Sequence, residues 1–74
     1  MSWMIEVYLG RSVSGLTEQG ALAIAMTQGG LCTYRESEPE QLVLTIEFTR
    51  EVDADLASNA LRASTDPVEG PGEY

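Results

Sequence analysis

Two segments of this chain alternate between large apolar residues and a mixed set of side chains. Every odd-numbered residue from 3 to 9 is apolar, and so is every even-numbered residue from 42 to 48. Successive side chains of an extended strand point to opposite faces, so each segment has one apolar face and one mixed face. The pattern predicts an antiparallel sheet that is covered on one side only.

Two helices are predicted around these strands. Thr17 is an N-cap residue type, and Gly29 and Gly30 supply the left-handed backbone that ends helices, which places the first helix at about residues 17–28. Asp53 is the predicted cap of a second helix that runs to about Ala63. The apolar spacing predicts which positions face the core: Leu22, Ala25 and Met26, flanked by Ala21 and Ile24, in the first helix, and Leu56, Ala57, Ala60 and Leu61 in the second.

The region between the helices predicts a β-hairpin. Residues 31–35 and 41–49 have strand patterns, and the acidic segment 36–40 forms the turn between them. Two orientations of the first hairpin strand stay open, because either Leu31 and Thr33 or Cys32 and Tyr34 could face the core. The proline- and glycine-rich residues 67–74 form either a short edge strand or a C-terminal tail.

In order, these elements give the split βαβ or ferredoxin-like arrangement, βαββαβ, of the α+β class. Residues 1–66 are expected to form a single α+β domain. Both helices should lie on one face of an antiparallel sheet whose last strand is short or absent, with the strands at 3–9 and 41–49 in its centre. A chain of 74 residues buries only about 60% of the surface that its unfolded form exposes, so the core is small.

The composition excludes several classes of function. Twelve acidic residues stand against four arginines, with no lysine and no histidine, and the net charge is −8. Such a field repels phosphate, so no direct nucleic-acid binding is expected, whereas a basic protein surface is attracted. Without a histidine to act as a base near neutral pH, a hydrolase triad is excluded. We therefore expect a protein that is not an enzyme and takes no cofactor.

The remaining chemical possibilities have simpler interpretations. Glu6 and Glu47 could pair on the uncovered side of the sheet, but two solvated carboxylates are expected there. The alternating acids of segment 36–40 lack the aspartates and the glycine of a calcium loop, so no metal site is predicted. Cys32 has no CxxC partner and no internal disulfide, which favours a packed thiol and a reducing, cytoplasmic location. Neither a basic leader nor a long apolar run is present, so we expect no secretion signal and no membrane span.

The chain is similar to ACT-type regulatory domains in its order of elements and in the step Gly15-Leu16 before the first helix. The aspartate and proline that usually precede that glycine are replaced by Ser12-Val13-Ser14. The resemblance implies a ferredoxin-like fold and a small-molecule site, for an amino acid, near residues 10–16 at a dimer interface. Amino-acid sensing is therefore an alternative function.

The leading hypothesis is a non-catalytic protein–protein interaction module. This class includes adaptors and inhibitors, among them those that phages and mobile elements encode. Aromatic and methionine side chains on a sheet face are typical of interface cores, and the acidic charge suits a basic partner. A homodimer through the same face and a nucleic-acid-mimicking inhibitor are alternatives. The predicted contact residues lie on the mixed sheet face and the hairpin tip: Met4, Glu6, Tyr8, Tyr34, Glu36, Glu38, Glu40, Val43, Thr45 and Glu47.

Overall fold

The computed structural model describes residues 2–10, 17–63 and 68–73. These residues form a four-stranded antiparallel sheet and two helices, in the predicted order along the chain. The elements are β1 (Trp3–Gly10), α1 (Glu18–Thr27), β2 (Leu31–Ser37), β3 (Gln41–Phe48), α2 (Glu51–Arg62) and β4 (Val68–Glu73). The strand order β2-β3-β1-β4 puts β1 and β3 in the centre, and it is compatible with a ferredoxin-like arrangement.

One face of the sheet forms the core. The register pairs Ile5 with Ile46 and Val7 with Leu44, so the apolar positions of β1 and β3 lie side by side. Both helices pack on this face, and most of the side chains that they bury there are alanines. The core consists of Ile5, Val7, Leu9, Ala21, Ala25, Leu42, Leu44, Ile46, Phe48, Ala54, Ala57, Leu61 and Val68.

The ends of α1 are fixed by the residues that the sequence indicates. Thr17 Oγ1 accepts a hydrogen bond of 3.0 Å from the backbone N–H of Gly20, which satisfies an otherwise unpaired donor of the first turn. At the other end Gly29 adopts a φ of +80°, and the N–H of Gly30 donates to the carbonyl oxygen of Ala25 over 2.9 Å. This is a Schellman motif, and it turns the chain into β2.

The predicted start of α2 is wrong. The helix begins at Glu51, and its N-cap residue Arg50 makes no side-chain capping bond. Asp53 therefore lies inside the first turn rather than at the cap, and its carboxylate and that of Glu51 interact favourably with the positive end of the helix. Asp53 also lies 3.9 Å from the Nε atom of Arg50.

The predicted buried stripes of the two helices are wrong in part. Met26 is 67% exposed and Leu56 is 51% exposed, and Ala60 is exposed as well. Ala54 and Ser58 are buried instead, and the Ser58 hydroxyl donates to a backbone carbonyl of its own helix. Large side chains from the sheet already fill much of the core, so the helices pack closely through small residues, and Met26 and Leu56 point outward.

The strand β2 is longer than predicted and contains a bulge. It extends to Ser37 instead of ending at residue 35, which shortens the turn. Cys32 pairs with Ile46 on the core side, but the register then shifts and Tyr34 pairs with Thr45 on the opposite side. The extra residue reverses the alternation, so neither predicted orientation applies to the whole strand.

The segment after α2 forms a strand rather than a tail. β4 pairs antiparallel with β1 at the edge of the sheet. Val68 is buried in the core, and Arg62 Nη2 donates to the carbonyl oxygens of Val68 and Gly70 over 3.1 and 2.8 Å. The last turn of α2 therefore holds the start of β4 in place.

Gly30 should not tolerate a side chain. A Cβ atom there would lie 2.6 Å from Cε2 of Phe48 and 2.8 Å from Cγ2 of Ile46, and both side chains are buried. We expect Gly30→Ala to lower the free energy of unfolding by about 1–3 kcal/mol, because the packed ring has no space to move into. Gly72→Ala is the matched control, since no heavy atom other than those of its chain neighbours lies within 4 Å of its Cβ position. Equal losses for the two variants in urea unfolding would contradict the close approach.

The two leucines of α2 should differ in their contribution to stability. Leu61 is fully buried and Leu56 is largely exposed. Leu61→Ala should lower the free energy of unfolding by about 2–4 kcal/mol, because it leaves a cavity in a small core. Leu56→Ala should cost less than about 1 kcal/mol. Thermal unfolding followed by circular dichroism separates the two, and a larger effect at Leu56 would show that α2 packs through another face.

Candidate functional site

The sheet face opposite the helices is here named the open face, because both described helices pack on the other side. The strand registers define its side chains: Met4, Glu6 and Tyr8 of β1, Val43, Thr45 and Glu47 of β3, Leu31, Tyr34 and Glu36 of β2, and Glu69 of β4. This set contains all the predicted contact residues except the two glutamates at the hairpin tip. The strands therefore bring most of the predicted site together on one surface.

Acidic and apolar side chains are interleaved across the open face. Each cross-strand row contains at least one glutamate together with apolar or aromatic side chains. The rows are Tyr8, Val43 and Glu36; Glu69, Glu6, Thr45 and Tyr34; and Met4, Glu47 and Leu31. Neighbouring strands lie about 4.8 Å apart, so side chains within a row are in reach of one another.

The two central glutamates are diagonal neighbours rather than a facing pair. Glu6 is opposite Thr45, and Glu47 is opposite Met4. Diagonal positions of an antiparallel pair are about 7–8 Å apart at the backbone. Each of the two glutamates therefore faces an uncharged residue of the other central strand.

The described arginines lie away from the open face. Arg35 is on the core side of β2, where both its Nε and its Nη2 donate to the Glu18 carboxylate, the second bond being 3.1 Å long. Arg50 lies beside Asp53 at the start of α2, and Arg62 binds backbone carbonyls of β4. Among the residues that the structure describes, every charged side chain of the open face is therefore a carboxylate.

The surroundings of Tyr8 raise the pKa of its phenol. Its side chain is half-buried, and the loss of hydration is the largest of the causes that raise the pKa of its phenol above the ordinary value. The carboxylates of Glu6, Glu69 and Glu38 raise the pKa further. A phenolate would be repelled by these groups, so the hydroxyl keeps its proton and remains a hydrogen-bond donor.

The apolar side chains of the open face differ in exposure. Val43, in a central strand, is only 7% exposed, whereas Leu31 and Tyr34 of the edge strand are 67% and 60% exposed. These two large side chains lie on the same face of β2, on either side of the bulge. A partner that covered this edge would remove considerable apolar surface from water.

The hairpin tip contributes to the site in part. Glu38 acts on the pKa of Tyr8, and Gln41 Nε2 donates to the Glu38 carboxylate over 3.4 Å. Glu40 is exposed in the turn between β2 and β3. Glu36, predicted at the tip, lies instead in β2 and belongs to the open face.

Two open-face residues were not predicted. Glu69 lies in a segment whose pairing the sequence left undecided, although the step from apolar Val68 to acidic Glu69 is the alternation of a half-buried strand. Leu31 was missed because the bulge after Cys32, which determines the side chain directions in β2, has no clear signal in the sequence.

The other candidate sites differ in how far the described residues include them. The alternative amino-acid site at residues 10–16 lies outside them apart from Gly10. In the ranges 2–10, 17–63 and 68–73, no group of three acidic, cysteine or histidine side chains could hold a metal ion. Cys32 is a half-buried free thiol whose Sγ lies 3.4 Å from the carbonyl oxygen of Tyr34.

In the part of the chain that the structure describes, neither helix has the length and apolar character needed to cross a membrane.

Tyr8 should titrate above the ordinary tyrosine pKa of about 10. Ultraviolet absorbance of the phenolate, compared between the wild type and Tyr8→Phe, isolates its signal. Glu6→Gln should lower this pKa, and added salt should do the same by screening the carboxylates. The folded state holds the proton more tightly than the unfolded chain, so this contribution to stability is full below pH 10 and is lost as the pH rises further. Ionisation of Tyr8 at or below the ordinary pKa would contradict the described field.

Comparison with known proteins identifies no relative of this chain. No protein-family model matches it, and neither a curated protein nor a solved structure is significantly similar to it. The interpretation of the open face therefore depends on the geometry and the chemistry of its own residues.

Proposed function

We propose that this chain is a ferredoxin-like, non-catalytic module that binds a basic protein surface through its open face. The observation that carries the proposal is the separation of charge. The described arginines bind groups away from the open face, whereas the charged side chains on the open face are glutamates. The unpaired Cys32 is consistent with a reducing compartment, for which we propose the cytoplasm.

The open face combines the two contributions that a specific interface needs. Glu6, Glu47 and Glu69 attract cations over several ångströms and raise the rate of encounter with a basic surface. Leu31 and Tyr34 offer apolar area that is exposed in the free protein and can be buried in a complex. A cationic partner with apolar side chains between its charges matches this pattern.

The geometry also favours a different protein as the partner over a second copy of this chain. Two open faces packed together would bring Glu6 and Glu47 of one molecule towards the same residues of the other. With a net charge of −8 on each chain, a homodimer through this face would need to neutralise many like charges. A basic partner turns the same charges into attractive contacts.

A binding assay with a matched pair of variants tests the proposal. The probe is a fluorescently labelled synthetic peptide in which arginines alternate with valines. Glu36→Gln together with Glu47→Gln should weaken binding at least about tenfold at low salt, because both charges lie on the open face beside the exposed Leu31 and Tyr34. Raising the salt from about 50 to about 300 mM should weaken binding by the wild type.

The control is Glu51→Gln together with Asp55→Asn. These residues are exposed on α2, so the control removes the same amount of charge from the opposite side of the molecule. Binding should change less than about twofold in the control. Equal losses in the two double variants would show attraction to net charge alone, and they would overturn the assignment of the open face.

A further inference from the structure

We propose that the partner binds as an extended basic segment that pairs with the edge of β2 and so adds a fifth strand to the sheet. The inference rests on the proposed function and specifies how its partner is held. Such strand addition obtains affinity from backbone hydrogen bonds and specificity from alternate side chains. The reasons lie in the difference between the two edges, in the backbone direction at Arg35 and in the side chains beside it.

The two edges of the sheet differ in their capacity to pair. β4 contains Gly70, Pro71 and Gly72, and proline lacks the N–H that a neighbouring strand requires. β2 contains neither proline nor glycine, and all its residues except the half-buried Cys32 are exposed. Among the described strands, β2 has a neighbour on one side only. The edge of β2 is therefore the better template for an added strand.

The hydrogen-bond pattern of the hairpin directs backbone groups of β2 outward. The N–H of Glu38 donates to the carbonyl oxygen of Gln41 over 2.8 Å, which makes these residues a hydrogen-bonded pair. In an antiparallel ladder such pairs alternate with non-bonded pairs, so the pair of Arg35 with Leu44 is non-bonded. The N–H and C=O of Arg35 consequently point away from β3, towards the position of an incoming strand.

The side chains beside this position determine what the incoming strand should carry. Tyr34 and Glu36 flank Arg35 and lie on the open face, where they would contact alternate side chains of the segment. Because Tyr34 and Glu36 share one face, they meet residues that are two apart in the segment. Glu36 offers its carboxylate to an arginine there, and the exposed ring of Tyr34 can stack with the arginine two positions away. On the other face Arg35 is already bound to Glu18. The pattern selects a cationic residue at every second position.

A second copy of this chain is a poorer occupant of the same edge. Pairing β2 with β2 would join two open faces into one continuous surface and double its number of carboxylates. Each chain carries a net charge of −8, so the repulsion opposes that assembly. The bulge after Cys32 would also have to be accommodated on both strands of the new pair. Charge complementarity therefore favours a basic segment from another protein.

The experiment uses the full chain, labelled with nitrogen-15, and a nine-residue peptide of alternating arginine and valine. Two analogues are N-methylated, one at every arginine and one at every valine. In an extended peptide all arginine N–H groups point to one edge and all valine N–H groups point to the other. Only one of these edges can pair with β2. One of the two analogues therefore lacks the N–H groups that the pairing requires. We expect that analogue to bind at least about tenfold more weakly, and we expect the amide of Arg35 to exchange its hydrogen more slowly in the complex with the parent peptide.

Two variants at one position provide the matched control in the protein. Arg35→Ala removes the ion pair with Glu18 but keeps the backbone N–H, so it should bind the peptide as the wild type does. Arg35→Pro removes both, and it should lose binding at least about tenfold. Circular dichroism checks the fold of each variant, and if Arg35→Pro is unfolded, the methylated peptides still decide the question.

The outcomes separate the two proposals. If the peptide binds and depends on Glu36 and Glu47, but both methylated analogues bind equally well, strand addition is overturned and the proposed function stands. If no peptide binds at low salt, both are overturned. If sedimentation shows a dimer whose formation protects the amide of Arg35, a second copy occupies the edge and strand addition by a basic segment is overturned.

Discussion

The structure depends on close contact between one apolar sheet face and two helices that meet it through small side chains. Ile5, Leu44, Ile46 and Phe48 are fully buried, and the sheet therefore supplies most of the core volume. The helices present mainly alanines to that face, which keeps them near the sheet. Because both described helices lie on this side of the sheet, neither of them covers the other face of the same strands.

The strands β1 and β3 were predictable because their apolar and mixed side chains alternate, and only one arrangement places all the apolar side chains on a covered face. The odd positions of β1 and the even positions of β3 could only share one covered face, and the register with Ile5 opposite Ile46 confirms this. The helical stripes were predicted less well. Sequence reasoning assigned the larger residues Met26 and Leu56 to the core, but a face already filled by sheet side chains accommodates Ala54 and Ser58 instead.

The candidate site was predictable where it lies on regular strands and not where the strands are irregular. Glu6, Tyr8 and Glu47 follow from the period of two in β1 and β3. The orientation of β2 depends on its bulge, which changes the facing direction between Cys32 and Tyr34 and is set by local backbone geometry. The pairing of β4 depends on tertiary contacts, including the bonds from Arg62 to its carbonyl groups.

The glutamates of the open face also have a role in the fold itself. In a strand the side-chain period is two, so a slip of one residue would exchange the two faces completely. Such a slip of β1 would bury Glu6 among the core side chains, and the same slip of β3 would bury Glu47 there. Arg35, the described arginine on that side of the sheet, is already bound to Glu18. An unpaired buried carboxylate is strongly disfavoured, so these charges penalise the wrong register. The glutamates on which the proposed partner binding rests therefore also favour the register that leaves this face uncovered by the helices.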